Sequence, residues 1–285
     1  MSLAPPESVG PLRRERLRTA RLYFVCDARP NGEDPEALLR AALSGGVDIV
    51  QLREKELGRA EIERAASTFR RVCDTYSALF IVNDDPDLAR ACNADGVHLG
   101  QDDGSVEEAR AILGPDVIVG LSTHSKEQID AAGGAPGKAD LGGRERGVLR
   151  TQAAEDADMR RPGATPDHIS VGPIWETPTK AGRAAVGLDL VSHAAEHATH
   201  PFFGIGGIDT ANAEQVVRAG ARRLCVVRAI RDAADPTLAA EELRRAFAAG
   251  AGAGESEGEG EGAEPNSQDE LLDRPAPWRG VAPGG

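Results

Sequence analysis

The stretch Leu22-Tyr23-Phe24-Val25-Cys26-Asp27-Ala28-Arg29-Pro30-Asn31-Gly32 decides between two folds. Its first five residues are a short apolar run of the kind that forms a β-strand, and the rest is the turn that follows. An open, doubly wound sheet would carry a glycine-rich phosphate loop, G-x-G-x-x-G, directly after its first strand. This turn holds one glycine, at its far end. The remaining way to arrange strands that alternate with helices is a closed (βα)8 barrel.

Working outward from that stretch, short β-branched runs predict strands at 22–26, 48–52, 79–83, 96–99, 117–122, 168–172, 202–205 and 224–227. Helical patterns lie between and after them, at 35–43, 59–76, 86–91, 106–113, 126–132, 188–197, 211–219 and 238–248. In 59–76 the apolar residues Ile62, Ala65, Ala66, Phe69 and Val72 recur at helical spacing and mark one buried face. Asp34 before Pro35 reads as an N-cap with proline at the first helical position, and Gly45 reads as the stop. Eight strands, each followed by a helix, predict an α/β protein with a single (βα)8 TIM barrel.

The chain has 285 residues, enough for one such barrel of roughly 250 residues. Its net charge of −13 is uneven. Residues 251–285 hold eight acidic side chains against two arginines, in a background of Gly, Glu, Pro and Ser. Such a segment buries too little apolar surface to offset its ordering entropy, so it is expected to be a disordered tail. Residues 133–163 mix Gly, Arg, Asp and Glu without apolar periodicity, and read as a loop inserted between the fifth helix (126–132) and the sixth strand (168–172). Residues 1–20 are a basic, proline-containing N-terminal extension, also expected to be disordered. The catalytic domain is therefore expected at 21–250. No run of about 18 apolar residues predicts a membrane span, and the N-terminus lacks the apolar core of a secretory signal. The acidic balance argues against a nucleic-acid partner, since phosphate backbones need a basic face. Cys26, Cys73, Cys92 and Cys225 form no CxxC and read as reduced cysteines of a cytoplasmic protein. Oligomeric state stays open, a homo-oligomer included.

In a barrel, functional groups collect where strands end, because all βα loops open on one face. The predicted strand ends run into Gln51 to Lys55, Asn83-Asp84-Asp85, His98 with Gln101-Asp102-Asp103, Ser122-Thr123-His124, Thr177 to Lys180, Gly206-Gly207 and Arg228. Arg53, Lys55 and Lys180 with several hydroxyls suit a polyphosphate. Two separated carboxylates, Asp84 and Asp103, suit Mg2+, which is commonly held by one or two carboxylates plus substrate phosphates. Gly206-Gly207 and the backbone around Val227-Arg228 follow strands seven and eight, where barrels frequently build a monophosphate site. The rim thus predicts two phosphorylated ligands, a diphosphate with Mg2+ and a monophosphate.

Six segments in this order resemble the thiamine-phosphate synthase family across 21–230: Gln51-Leu52-Arg53-Glu54-Lys55, Asn83-Asp84, 96–103, Ser122-Thr123-His124-Ser125, 171–180 and 204–208. The resemblance implies a Mg2+-dependent transferase of thiamine biosynthesis. It would condense 4-amino-2-methyl-5-(diphosphooxymethyl)pyrimidine with thiazole phosphate, releasing pyrophosphate by a dissociative substitution. It further implies that Gln51, Leu52, Arg53, Glu54, Lys55, Asn83, Ser122 and Lys180 hold the pyrimidine diphosphate, with Arg53, Lys55, Ser122 and Lys180 catalytic. Asp84 and Asp103 would bind the metal. Thr177, Pro178, Thr179, Gly207, Val227 and Arg228 would hold the thiazole phosphate. Strand alternation turns the side chains of Leu52, Glu54 and Pro178 elsewhere, leaving them backbone contacts at most. Two departures stand out: Arg228 occupies a position where the family usually has serine, and the 133–163 insertion is atypical.

Other residues have plainer readings. His193, His197 and His200 are expected on a solvated helix face rather than at a metal. His98 either touches the pyrimidine or fills the barrel top, and His124 orients its loop. Trp175 either walls the pocket or packs on the next helix, the pocket being favoured. Two rival functions are a related thiazole tautomerase and a catalytically idle scaffold. The tautomerase needs no carboxylate pair, and an idle scaffold would not require the full set of Arg53, Lys55, Asp84, Asp103, Ser122 and Lys180.

Overall fold

The computed structural model describes residues 9–133, 165–177 and 184–252. Strands β1 (Leu22–Cys26), β2 (Ile49–Leu52), β3 (Leu79–Asn83), β4 (Gly96–Leu99), β5 (Ile118–Thr123), β6 (His168–Val171), β7 (Phe202–Ile205) and β8 (Leu224–Val226) pair in parallel in chain order. Pairing of Leu22 with Leu224 and of Phe24 with Val226 closes the barrel. Helix α1 (Gly10–Thr19) precedes the first strand. After it come α2 (Glu36–Ser44), α3 (Arg59–Tyr76), α4 (Pro86–Ala91), α5 (Val106–Leu113), α6 (Lys126–Ala132), α7 (Gly187–His197), α8 (Ala213–Arg218), α9 (Arg228–Arg231) and α10 (Pro236–Gly252). The predicted α/β TIM barrel is thus the observed fold. Most of residues 133–163, and residues 253–285, lie outside the described residues.

Strand alternation divides the core in two. Leu22, Phe24, Val50, Leu52, Phe80, Val82, Val97 and Val119 face the helices and form the outer apolar layer with them. Their neighbours one residue away turn inward. The lower interior is filled by Tyr23, Ile49, Leu79, Ile81, Ile118 and Phe203. Burying each such side chain is worth about 1.5–3 kcal/mol. Higher in the barrel the inward positions turn polar: Gln51, His98, Ser122 and Ser170 are buried there, with His168 beneath.

The N-terminal extension corrects the expectation of a disordered tail. Residues 10–19 form α1, which places Leu17, 3% exposed, against the lower interior cluster. Arg13 Nε donates to Asp95 Oδ1 at 2.9 Å, and Arg14 Nε to Asp167 Oδ1 at 2.9 Å. The helix therefore covers the end of the barrel opposite the βα loops. At its capping end, α2 departs slightly from expectation: Pro35 is the N-cap residue, while the Asp34 carboxylate still accepts the Glu36 N–H at 2.8 Å.

Aspartates that precede even-numbered strands tie this lower end together. Asp48 accepts the N–H groups of Arg21 and Leu22, Asp95 that of Phe80, and Asp167 that of Val119. Each carboxylate also meets an arginine: Arg244, the pair Arg13 and Arg70, and the pair Arg14 and Arg110, respectively. Burial opposes ionisation of Asp167, yet the Val119 N–H and Arg110 hold its carboxyl below the usual range.

Candidate active site

The upper interior and the βα loops enclose an open cavity of about 440 Å³. Gln51, Arg53, Lys55, Asn83, Asp84, Asp103, Ser122, Thr177, Gly207, Val227 and Arg228 all line it. Leu52 and Glu54 do not line it, as alternation requires. Leu52 packs in the outer apolar layer, while Glu54 accepts the backbone N–H groups of Ala28, Lys55 and Glu56 and so shapes the β2 loop. Pro178, Thr179 and Lys180 lie outside the described residues.

One side of the rim is strongly charged. Lys55 Nζ donates to Asp84 Oδ2 at 2.6 Å, and the Gly100 N–H donates to Asp103 Oδ2 at 2.8 Å. Partial loss of water and the Asp84 carboxylate beside it hold Asp103 above the usual carboxylate range, against the pull of the Gly100 N–H and Lys55. Asp84 itself adopts a left-handed backbone at φ 63°, with its N–H bonded to the His98 carbonyl at 2.8 Å. Arg53 lines the same side without a carboxylate partner among the described residues. No cluster of three or more His, Cys, Asp or Glu suited to a metal occurs among the described residues. Two neighbouring carboxylates do suit a hard divalent cation that completes its shell with ligand oxygens.

Across the ring, β7 ends in Gly206 and Gly207, at φ 101° and 70°. Side chains there would be strained, and a Cβ on Gly206 would come within 2.5 Å of Pro173. The two glycines let this turn pack against Pro173 and Trp175, and it lines the cavity beside Val227 and the exposed Arg228.

The floor between these two sides is a buried polar network. Gln51 Nε2 donates to the Tyr23 hydroxyl at 2.8 Å, which leaves its carbonyl oxygen as the atom able to accept from a ligand. His98 Nε2 lies 3.1 Å from Ser122 Oγ and 3.3 Å from Ser170 Oγ, and His98 Nδ1 lies 3.2 Å from His168 Nε2. His168 and Ser170 were not among the expected site residues. Their signal in the sequence is the i, i+2 spacing His168-Ser170-Gly172, which sets all three on one face of β6.

His98 fills the barrel top and also lines the cavity. His124 Nδ1 bonds to the Gly172 carbonyl and fastens the β5 loop to the end of β6. Trp175 corrects the favoured expectation: it is not a pocket wall but packs against the outer apolar layer. His193 pairs with Asp130 at 3.0 Å and stacks on His197 at 4.2 Å on the outer surface of α7.

A family model described as thiamine monophosphate synthase matches residues 22–140 and 149–230. The chain is 46% identical over 237 residues to a thiamine-phosphate synthase of Thermobifida fusca, covering 83% of this chain and 96% of that protein. It is 43% identical over 249 residues to one of Mycobacterium tuberculosis, covering 84% of this chain and 99% of that protein. Among solved structures, a thiamine phosphate pyrophosphorylase from Pyrococcus furiosus is similar with a TM-score of 0.63 and 30% identity, over 84% of this chain and 98% of that one.

Proposed function

The chain belongs to the thiamine monophosphate synthase family, transferases of thiamine biosynthesis, and from that premise we propose the reaction in full. The enzyme joins the methylene carbon of an aminopyrimidine, supplied as its diphosphate ester, to the ring nitrogen of a thiazole phosphate. The methylene C–O bond breaks and its electron pair leaves with pyrophosphate. The lone pair of the thiazole nitrogen then makes the new C–N bond, giving thiamine phosphate. The nucleophile carries no proton to remove, so no general base is needed. Departure of pyrophosphate is the demanding step, and the electron-rich aminopyrimidine supports the cationic carbon left behind.

Gln51, Asn83 and Ser122 orient the pyrimidine, with Leu52 and Glu54 shaping the loop beside them. Arg53 and Lys55, together with Lys180, stabilise the charge that develops on pyrophosphate. The Lys55–Asp84 pair is exposed at the rim, where such pairs are worth about 0–1 kcal/mol, so Lys55 can turn to a phosphate at little cost. Asp84 and Asp103 would hold Mg2+, whose chemistry is to neutralise the leaving diphosphate. Gly207, Val227 and Arg228, with Thr177 to Thr179, take the thiazole phosphate, and the Arg228 cation suits that anion. The domain responsible is 21–250, acting on small molecules. A reducing, cytoplasmic setting agrees with the four free cysteines, and no described helix is long and apolar enough to cross a membrane.

The observation that carries this reading is the meeting of Lys55, Asp84 and Asp103 beside Arg53, across the cavity from Gly206-Gly207. A tautomerase has no leaving group and no use for that charged side. Purified protein given both substrates and Mg2+ is expected to release pyrophosphate and thiamine phosphate in equal amounts. Uptake of both substrates without any thiamine phosphate would overturn the proposal.

A further inference from the structure

Beneath the cavity, the two imidazoles of His98 and His168 face each other nitrogen to nitrogen, at 3.2 Å. Both rings are buried, and His168 is fixed by Tyr23 and Phe203, whose ring centroids lie 6.0 and 5.5 Å away. Burial pushes the His168 imidazole down to about 4, with Arg223 and His200 acting in the same sense and Asp167 opposing, so the ring is neutral at working pH. A neutral imidazole has one N–H and one bare nitrogen. A single hydrogen must therefore lie between the two facing nitrogens, and it belongs to one ring or the other.

The far nitrogen of His168 decides which. Nδ1 is buried and has no hydrogen-bond partner among the described residues. If His98 donated, His168 would carry its hydrogen on Nδ1, as a buried N–H with nothing to accept it. If His168 donates from Nε2, Nδ1 is only a bare lone pair, the less costly orphan. The consequence runs upward through the network. His98 Nδ1 accepts, so its hydrogen sits on Nε2 and is donated to Ser122 Oγ at 3.1 Å, shared with Ser170 Oγ at 3.3 Å. Ser170 Oγ in turn donates to Ser122 Oγ at 3.5 Å. With its oxygen occupied as an acceptor from below, the Ser122 hydroxyl has its own hydrogen left for the cavity.

We propose that His168 is a positioning residue which, acting through His98, fixes Ser122 as a hydrogen-bond donor toward a ring nitrogen of the pyrimidine. This rests on the reading that Ser122 contacts that ring, and the test separates the two. Neither histidine touches the reacting atoms. What they set is polarity: a donor at Ser122 beside an acceptor at Gln51, complementary to a heteroaromatic ring that carries an amine next to an unprotonated nitrogen.

The test is equilibrium binding by titration calorimetry, with Mg2+ present and the thiazole omitted so that no turnover occurs. The ligands are the aminopyrimidine diphosphate and two pyridine analogues, each with one ring nitrogen replaced by C–H. The unaltered protein is expected to bind the parent about tenfold more tightly than one of the two analogues, the worth of one hydrogen bond. Ser122→Ala and His168→Phe should each abolish that preference, mainly by weakening the parent. His168→Gln, whose amide can still donate to His98, should restore most of it. A His168→Phe protein that keeps the preference, or that weakens all three ligands equally, overturns the proposal while leaving Ser122 at the pyrimidine. A Ser122→Ala protein that keeps the preference overturns both.

Discussion

Asp84 carries two burdens in one residue. Its backbone lies in the left-handed region at φ 63°, which asparagine and aspartate tolerate better than other side chains with a Cβ. Its carboxylate bonds Lys55 and neighbours Asp103. Asp84→Asn keeps the shape and the backbone preference and removes only the charge. It is expected to lower kcat by about 10²–10³-fold with an unchanged melting temperature, checked by steady-state kinetics beside calorimetry. Near-normal turnover would remove Asp84 from the metal-binding role. His168 sets a pH dependence of stability. Its folded value of about 4 lies below the ~6.5 of an unfolded histidine, so the unfolded state binds more protons between those limits. Stability is therefore full above about pH 6.5, falls as the pH drops toward 4, and levels off below, a loss of about 3 kcal/mol. Urea titrations across that range should show the slope, and His168→Phe should flatten it. These two residues also mark how far the site was legible. Asp84 stands at a strand end, where polar residues attract notice in any barrel sequence. His168 opens its strand, and only the inward register of β6, seen once the barrel is closed, brings it under the cavity.

Among the elements, the strands were the most legible and α1 the least, for a physical reason. A barrel strand is buried on both faces and apolar on most of its positions, so its run is visible as composition alone. Helix α3 announces itself by a full apolar stripe, Ala66, Phe69, Val72 and Cys73 being buried along it. Helix α1 buries only Gly10 and Leu17, and its other attachments are ion pairs and hydrogen bonds to groups more than 80 residues away, which no local pattern reveals. Those attachments give it measurable worth. Leu17→Ala should cost about 2–5 kcal/mol, as for other buried leucines. Asp95→Ala should cost about 3–5 kcal/mol, because it takes the carboxylate from both Arg13 and Arg70, leaving Arg70 only Asp74, and orphans the buried Phe80 N–H. Both losses are read from urea unfolding. Because α1 lies at the end of the barrel away from the cavity, KM for either substrate should be unchanged at temperatures where the variants remain folded. An α1 variant that altered KM without altering stability would contradict that separation.

At the scale of the whole molecule, the barrel keeps its two ends apart. The charged rim and the glycine turn belong to the ends of strands and the polar floor lies just inside the barrel beneath them, while the aspartate–arginine ties and α1 gather at the strand beginnings. The segment between α6 and β6 starts and finishes at this second end. Gly133, after α6, lies against Thr199 ahead of β7, where an added Cβ would come within 2.8 Å of the threonine hydroxyl. Asp167, before β6, is held by Arg14 of α1. The family model matches the chain up to residue 140 and again from residue 149, on either side of 141–148. Changes on this side reach the cavity only by disturbing strand register, and the register of β6 against β5 and β7 is set by inward and outward faces that both are fully committed. Deleting 141–148 is therefore expected to leave kcat/KM for both substrates and the melting temperature unchanged, within a factor of about two for the rate. A tenfold fall in kcat/KM with an unaltered melting temperature would show that the segment reaches the substrates, and that the two ends of this barrel are not functionally separate.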